Sequence, residues 1–434
     1  MNKTQAVDME PRPPTARTVH LPFPSHKIDP DAAKVVRRLA YHGHLAYFVG
    51  GCVRDLILGR TPKDFDVATE AQPHELRYLF RNCRIIGRRF RLAHILFEGG
   101  GKVIETATFR RTPQQEPSAA FLAEEDGAEA PAAGATPDRD LLIVDDNTFG
   151  EPHEDARRRD FTMNALFYDL ERREVIDYVG GLGDLERRVI RTIGDADVRF
   201  REDPVRILRA IRFCARLDLG IEPDTYDAMI AHREDILRAA RPRILEEVLR
   251  LLRAGAARRS FWLAWETGVL SVMLPDVAAR LDDDQDGHTL LWRRLAALDA
   301  MVARGAMPGD SVLLALLLLD PLEEALEGAR NPTRALDRFV EGLREQLAVT
   351  RRMEDRLRQM VPILAKLRDG RWQTLARREC FTDAAVLHLL DCDARGLPAD
   401  ALREALNAGP EHGPRRGHGR KQPPDGAPSP PPAG

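Results

Sequence analysis

Three acidic side chains stand where carboxylates do chemistry. In KDFDVAT, Asp64 and Asp66 are separated by Phe65 alone. On an extended strand, residues i and i+2 face the same way, so the two carboxylates stand side by side while Phe65 turns inward. Adjacent carboxylates repel, and a divalent cation is their natural companion. Paired Mg2+ ions held by carboxylates are a common device for in-line displacement at phosphorus. One ion activates the attacking oxygen and the other steadies the leaving phosphates. Two solvated aspartates at a strand end have the same pattern, but a phosphate-binding feature lies shortly upstream. In FVGGCVRDL, an apolar strand runs into Gly50-Gly51 and a helix begins. Glycines let a ligand approach the backbone, and the first helical turn offers unpaired N–H groups. Arg54 in that turn adds a charge-assisted donor for a phosphate. By itself, this segment also reads as an ordinary strand–turn–helix. In KVIETATF, Glu105 shares a strand face with Val103 and Ala107. It is a candidate third carboxylate, or else an edge residue.

A basic run lies between these acids. IIGRRFRLAHILF, residues 85–97, sets Arg88, Arg89 and Arg91 around Phe90. Charged residues on a hairpin edge discourage aggregation. The sharper reading of the charge is contact with phosphate. The whole chain has 434 residues and a net charge of −3, so overall charge does not advertise a nucleic-acid binder. Its distribution matters more, with basic clusters at 81–91, 157–159 and 187–216. At 43% hydrophobic, the chain can build a substantial core. No window is apolar enough to span a bilayer, and no secretory signal is evident. The five cysteines form no CxxC pair, which excludes an obvious zinc site or disulfide framework and suits a cytoplasmic location.

These side chains need a scaffold. LAYFVGG, DFDVAT and VIETATF read as strands, and CVRDLILGR and HELRYLF as helices, which indicates an α/β unit with a mixed sheet. DAAKVVRRLAYHG reads as an earlier helix with Asp31 as its cap and Gly43 at its exit. The expected division begins with a disordered or loosely packed arm over 1–28 and an α/β head over 29–181. A flexible Ala/Pro/Glu-rich insertion, 111–140, interrupts the head. A helical neck follows over 182–255, then a helical body over 256–407 and a disordered, basic, Pro-rich tail over 408–434.

VGGxVRD, DFD and a strand glutamate together resemble the nucleotidyltransferase superfamily that includes DNA polymerase β. RRDFTMNALFYD (158–169), DYVGG (177–181) and REDPVRILRAIRF (201–213) narrow the resemblance to the tRNA nucleotidyltransferase/poly(A) polymerase family, from about residue 36 to 255. The resemblance implies a polymerase-β-like head, two Mg2+ ions and ATP as substrate. Asp64 and Asp66 would bind the metal, with Glu105 as third carboxylate, and Gly50, Gly51 and Arg54 would hold the triphosphate. Arg159, Asp160 and Asn164 would lie near the ribose and phosphates, and Asp203 and Arg206 would read the base, supported by Arg209. At i and i+3, Asp203 and Arg206 are expected to be neighbours on one helix face, where the pair offers an acceptor beside a donor, matching adenine or cytosine and mismatching guanine or uracil. The family performs two reactions. The Arg-rich run and the ARPRILEEVLRLLRAG segment resemble versions that add poly(A) to RNA 3′ ends. CCA addition to tRNA is the alternative, and a non-catalytic RNA-binding relative is a third.

Overall fold

The computed structural model describes residues 16–87, 91–111, 148–283, 290–370 and 373–407. The expected tail and most of the expected insertion and arm therefore lie outside the described residues. Among the described residues the strands are β1 (Arg17–His20), β2 (Ala46–Val49), β3 (Asp66–Thr69), β4 (Cys83–Ile86), β5 (Leu92–Phe97), β6 (Lys102–Thr108), β7 (Leu166–Asp169), β8 (Glu174–Asp177), β9 (Val189–Ile190) and β10 (Gly220–Ile221). The first eight form one mixed sheet in the order β1-β8-β7-β2-β3-β6-β5-β4. Only β3 and β6 pair in parallel within it, with Val67 opposite Thr106. The expected loose arm is, over residues 17–20, an edge strand on β8.

Central β2 reads AYFV, and all four residues are buried. Alternate side chains serve opposite faces. Phe48 joins the main core with Val67, Ile95 and Ile104. Tyr47 and Val49 join a smaller cluster with Ala68, Phe109 and Phe167. The main-core face is covered by α1 (Pro30–Tyr41), which buries Val35, Val36 and Leu39. Asp29, rather than Asp31, caps this helix and accepts hydrogen bonds from the Asp31 and Ala32 amides at 2.9 and 3.0 Å. Pro30 takes the first helical position, where its missing N–H costs nothing. Asp31 instead joins Asp29 in holding Lys102 at the start of β6.

The head continues with α2 (Gly51–Ile57), α3 (Pro73–Leu79) and α4 (Pro152–Arg158). The DYVGG motif has a structural role. The Asp177 carboxylate accepts from the amides of Val179, Gly180, Gly181 and Leu182, capping α5 (Gly181–Glu186). A side chain at Gly181 would meet the Thr162 carbonyl oxygen at 2.2 Å, so only glycine fits. Beyond it, α6 (Ala196–Glu202), α7 (Val205–Leu217), α8 (Pro223–Ala231) and α9 (Arg241–Arg253) build the neck, and α10 (Ala257–Glu266) opens the body. The body is helical, as expected. At its centre the fully buried Arg294 bonds Asp320 at 2.6 Å and Asp391 at 2.7 Å, pairing a charge that would be costly alone. No helix among the described residues is long and apolar enough to cross a membrane.

Candidate active site

The strand expected from Asp64 begins only at Asp66. Phe65 is buried and packs edge-on against Phe48 at 5.2 Å, so the inward turn expected of it holds. Both flanking aspartates are exposed. Extending the parallel β3–β6 register by one residue places Asp66 beside Glu105, on the face shared by Ala68 and Ala107. Across the next strand pair, Glu105 Oε1 lies 3.5 Å from His94 Nε2. Crowding by surrounding protein pushes the Asp66 carboxyl up to about 6, and the negative charge of Glu105 adds to it. Arg159 pulls the other way, and Asp64 pushes further up. The buried Cys52 thiol is pushed up to about 12 by desolvation and by Asp66, which makes it inert.

The donors fit a hard cation. Three carboxylates supply oxygen ligands of the kind Mg2+ prefers, and desolvation together with mutual repulsion raises the proton affinity of Asp66, which a positive charge would relieve. Among the described residues, no three His, Cys, Asp or Glu side chains close around a single point. The fit is therefore to an open site. Mg2+ ordinarily uses one or two carboxylates and completes its shell with water and phosphate oxygens.

Beside Asp66 lies a cleft of about 760 Å3. Gly50, Gly51, Arg54, Asp66, Arg159, Asp160, Asn164, Asp203, Arg206 and Arg209 all line it, whereas Asp64 and Glu105 do not. Side chains expected from distant parts of the sequence thus meet in one place. Asn164 is their hub. Its Oδ1 accepts from Arg54 Nη1 at 2.6 Å, its Nδ2 donates to Asp160 Oδ1 at 3.0 Å, and its carbonyl accepts from Arg159 Nη1 at 3.2 Å. Arg54 is further fixed by Asp55 and by the face of Phe213, 5.1 Å away. Arg159 is fixed by Asp155 and the Phe167 ring. Gly50 has φ 73°, and a Cβ there would lie 3.1 Å from Arg159 Nη1. The glycine turn therefore admits a guanidinium against the backbone. Two oriented guanidiniums beside that turn make a ready receptor for phosphate oxygens.

Asp160 is buried at the wall of the cleft. Burial would raise its carboxyl, but Arg209, Asn164 and the Phe161 amide hold it well below the usual carboxylate range. Arg209 Nε donates to Asp160 Oδ2 at 2.8 Å, and Nη2 donates to the same oxygen. This pair ties α7 to the loop carrying Arg159 and Asn164.

The expected base-reading pair has a different geometry. Asp203 and Arg206 do not share a helix. Pro204 disfavours helical geometry in the residue before it, so Asp203 adopts φ −150° and ψ 90° at the end of α6, and Arg206 lies in the first turn of α7. They form no salt bridge with each other. Asp203 Oδ2 accepts from Arg243 Nη2 at 2.8 Å, while its buried Oδ1 has no hydrogen-bond partner. Arg206 Nη1 donates to the Arg199 carbonyl at 2.8 Å and to Glu202 at 3.0 Å. Both still line the cleft and offer an acceptor and a guanidinium to a base edge.

On either side of the Arg-rich run, β4 and β5 pair antiparallel with Ile86 opposite Leu92. Arg88 and Arg89 lie outside the described residues. Arg91 is exposed and does not line the cleft, and its carbonyl accepts from Arg110 Nη2 at 3.1 Å. Residue-by-residue sequence reasoning missed Phe213, Arg243 and Glu247. Phe213 lies under the guanidiniums of Arg54, Arg209 and Arg212. Glu247, buried on α9, accepts from Arg212 at 3.1 Å and Arg250 at 2.9 Å. The signal for the last two was the Arg/Glu-rich α9 segment, whose facing direction cannot be read without the fold.

The chain is similar to several known proteins. Residues 46–191 match the poly A polymerase head domain family, and 218–281 match the family described as the probable RNA and SrmB-binding site of polymerase A. Poly(A) polymerase I of Salmonella typhimurium is 43% identical over 300 residues, covering 68% of this chain and 61% of that protein. The CCA-adding enzyme of Geobacillus thermodenitrificans is 36% identical over 267 residues, covering 61% of this chain and 59% of that enzyme. The chain thus spans about three fifths of the length of these curated relatives. Among solved structures, the Bacillus stearothermophilus CCA-adding enzyme in complex with CTP superposes with a TM-score of 0.60 at 26% identity, covering 88% of this chain and 82% of that one.

Proposed function

The chain belongs to the tRNA nucleotidyltransferase/poly(A) polymerase family, and from that membership we propose that it adds AMP from ATP to RNA 3′ ends without a template. The observation that carries this reading is the junction of Asp66 with a cleft lined by Gly50, Gly51, Arg54 and Arg159. Carboxylates for a metal adjoin donors for a polyphosphate. The RNA 3′-hydroxyl oxygen loses its proton to water and bonds to the α-phosphorus, and the bond from that phosphorus to the oxygen bridging it to the β-phosphorus breaks, its electron pair leaving with pyrophosphate. Pyrophosphate departs toward the glycine turn and Arg54, where fixed guanidinium charge stabilises it. Asp64 and Asp66, with Glu105 as third carboxylate, are the residues to hold two Mg2+ ions. When bound, these ions supply Lewis-acid stabilisation of the charge that develops at phosphorus. Asp160, Arg209 and Asn164 orient the floor under the ribose and phosphates. Asp203 Oδ1 accepts from the adenine amino group, and Arg206 donates to the neighbouring ring nitrogen. Arg88, Arg89 and Arg91 are proposed contacts for RNA phosphates.

The setting is cytoplasmic, in keeping with five cysteines that are all free thiols. A second reading, CCA addition to tRNA, is favoured by the CCA-adding relatives in sequence and structure. Adenylate addition has the stronger support, because identity to the poly(A) polymerase relative is higher, 43% against 36%. Product length from a generic RNA and from a tRNA lacking CCA, with ATP alone or ATP plus CTP, separates the two.

A further inference from the structure

A second groove, about 1090 Å3 in volume, lies in the body away from the carboxylates. The helices Leu290–Ala303, Phe381–Arg395 and Asp400–Asn407 frame it. Small side chains, Ala296, Ala297 and Ala300, leave its floor open beside Trp292 and Met301. Three exposed arginines stand on its rim: Arg258 at the start of α10, Arg293, and Arg304 in the loop that follows. Other arginines of the body hold carboxylates, as Arg294 does with Asp391 and Arg358 with Asp337. Arg258, Arg293 and Arg304 form no ion pair through their side chains among the described residues. The acids nearby are engaged elsewhere. Asp393 pairs with Arg403, and Asp299 accepts from the amides of Ala257 and Arg258. The Asp299 carboxylate offsets part of the charge of Arg258, so the rim carries a net positive charge, least compensated at Arg293 and Arg304, above an apolar, partly aromatic floor.

We propose that this groove binds a single-stranded stretch of the RNA being extended. Its phosphates lie on Arg258, Arg293 and Arg304, and its bases lie against Trp292 and the alanine floor. Such a floor accepts any base, because every base has an apolar face, while the rim charges follow the backbone. Arg258 also falls within residues 218–281, the segment that matches the probable RNA-binding family, while the rest of the groove lies beyond it. The proposal rests on the reading that the head extends RNA. It adds a holding site on the body that a growing strand can occupy independently of its sequence.

The test is equilibrium anisotropy of a fluorescein-labelled oligoadenylate of about 20 nucleotides, without ATP, on the full chain. Because no transfer is needed, the outcome is separate from whether AMP addition occurs. The triple variant R258A/R293A/R304A changes exposed side chains only. It is expected to weaken binding about tenfold or more, and to lower the log–log salt slope by about 2, roughly 0.7 for each phosphate no longer neutralised. Ala300→Glu, which sets a carboxylate on the exposed floor, is expected to weaken binding in the same direction. Wild-type affinity and slope in both variants would overturn the proposal. So would unchanged RNA binding together with lost binding of an acidic amphipathic peptide, which would assign the groove to a protein partner.

Discussion

Replacing Arg209 by methionine tests whether the Asp160 pair is what organises the cleft floor. Asp160 Oδ2 receives both Arg209 donors, and Oδ1 receives Asn164 and the Phe161 amide. Methionine keeps much of the stem's packing on Phe213 but leaves the buried carboxylate without its cation. Breaking a buried pair from one side costs about 3–5 kcal/mol. The Arg209 side chain is 31% exposed, so solvent already screens part of the attraction. This places the expected loss near the lower end, about 3 kcal/mol at pH 7. The pH dependence follows from the signs. In the wild type, the depressed Asp160 contributes stability above the ordinary carboxylate range, and this is lost as pH falls toward its low folded pKa. In Arg209→Met, burial acts unopposed and raises that carboxyl, so protonation relieves the penalty. The gap between the two proteins should therefore shrink as pH falls from 7 toward about 4. Adding Asp160→Asn removes the orphaned charge and should recover about half of the loss or more. Urea denaturation of the wild type, both single variants and the double variant gives the four corners of the cycle. A loss under about 1 kcal/mol, or a double variant as unstable as the sum of the singles, would show that the pair does not organise the floor.

Two further outcomes are expected. Gly50→Ala forces a side chain into a φ of 73° and against Arg159 Nη1, so it should cost about 1–2 kcal/mol of stability and raise the KM for ATP more than it lowers kcat, read by melting and steady-state kinetics. Without divalent cation, Asp66→Asn should raise Tm at pH 7.5, raise it about half as much in free-energy terms at pH 5, and leave it unchanged below about pH 4, where the carboxyl is protonated in both states. A carboxyl raised to about 6 favours the fold while protonated, and that contribution is lost as pH rises through its folded pKa.

The sequence carried most of the cleft, for identifiable reasons. Gly50, Gly51, Arg54, Asp160, Asn164 and Arg209 are spread over several elements, yet all line one cleft, because the motifs holding them were recognisable as a set. The carboxylate face was legible from parity alone, although the strand starts two residues later than expected. Parity fails where chain direction changes. Asp203 and Arg206 looked like one helix face, but Pro204 ends the helix between them. The cap of α1 moved from Asp31 to Asp29 for a similar local reason, a proline at the first helical position. Residues 17–20 gave no strand signal because an edge strand is stabilised by its partner, here β8, which lies far along the chain. The partners of Asp203 and Arg212 were invisible because Arg243 and Glu247 reach the cleft only after α9 folds back against α7.

Repeated adenylate transfer to RNA 3′ ends at the Asp64/Asp66 site is tested most directly by product length on gels. The protein is incubated with Mg2+ and ATP alone, using a generic RNA and a tRNA lacking CCA, with parallel reactions that also contain CTP. Long adenylate tracts on the generic RNA with ATP alone are the expected result. Growth confined to the tRNA, dependent on CTP and stopping at the CCA end, would contradict it.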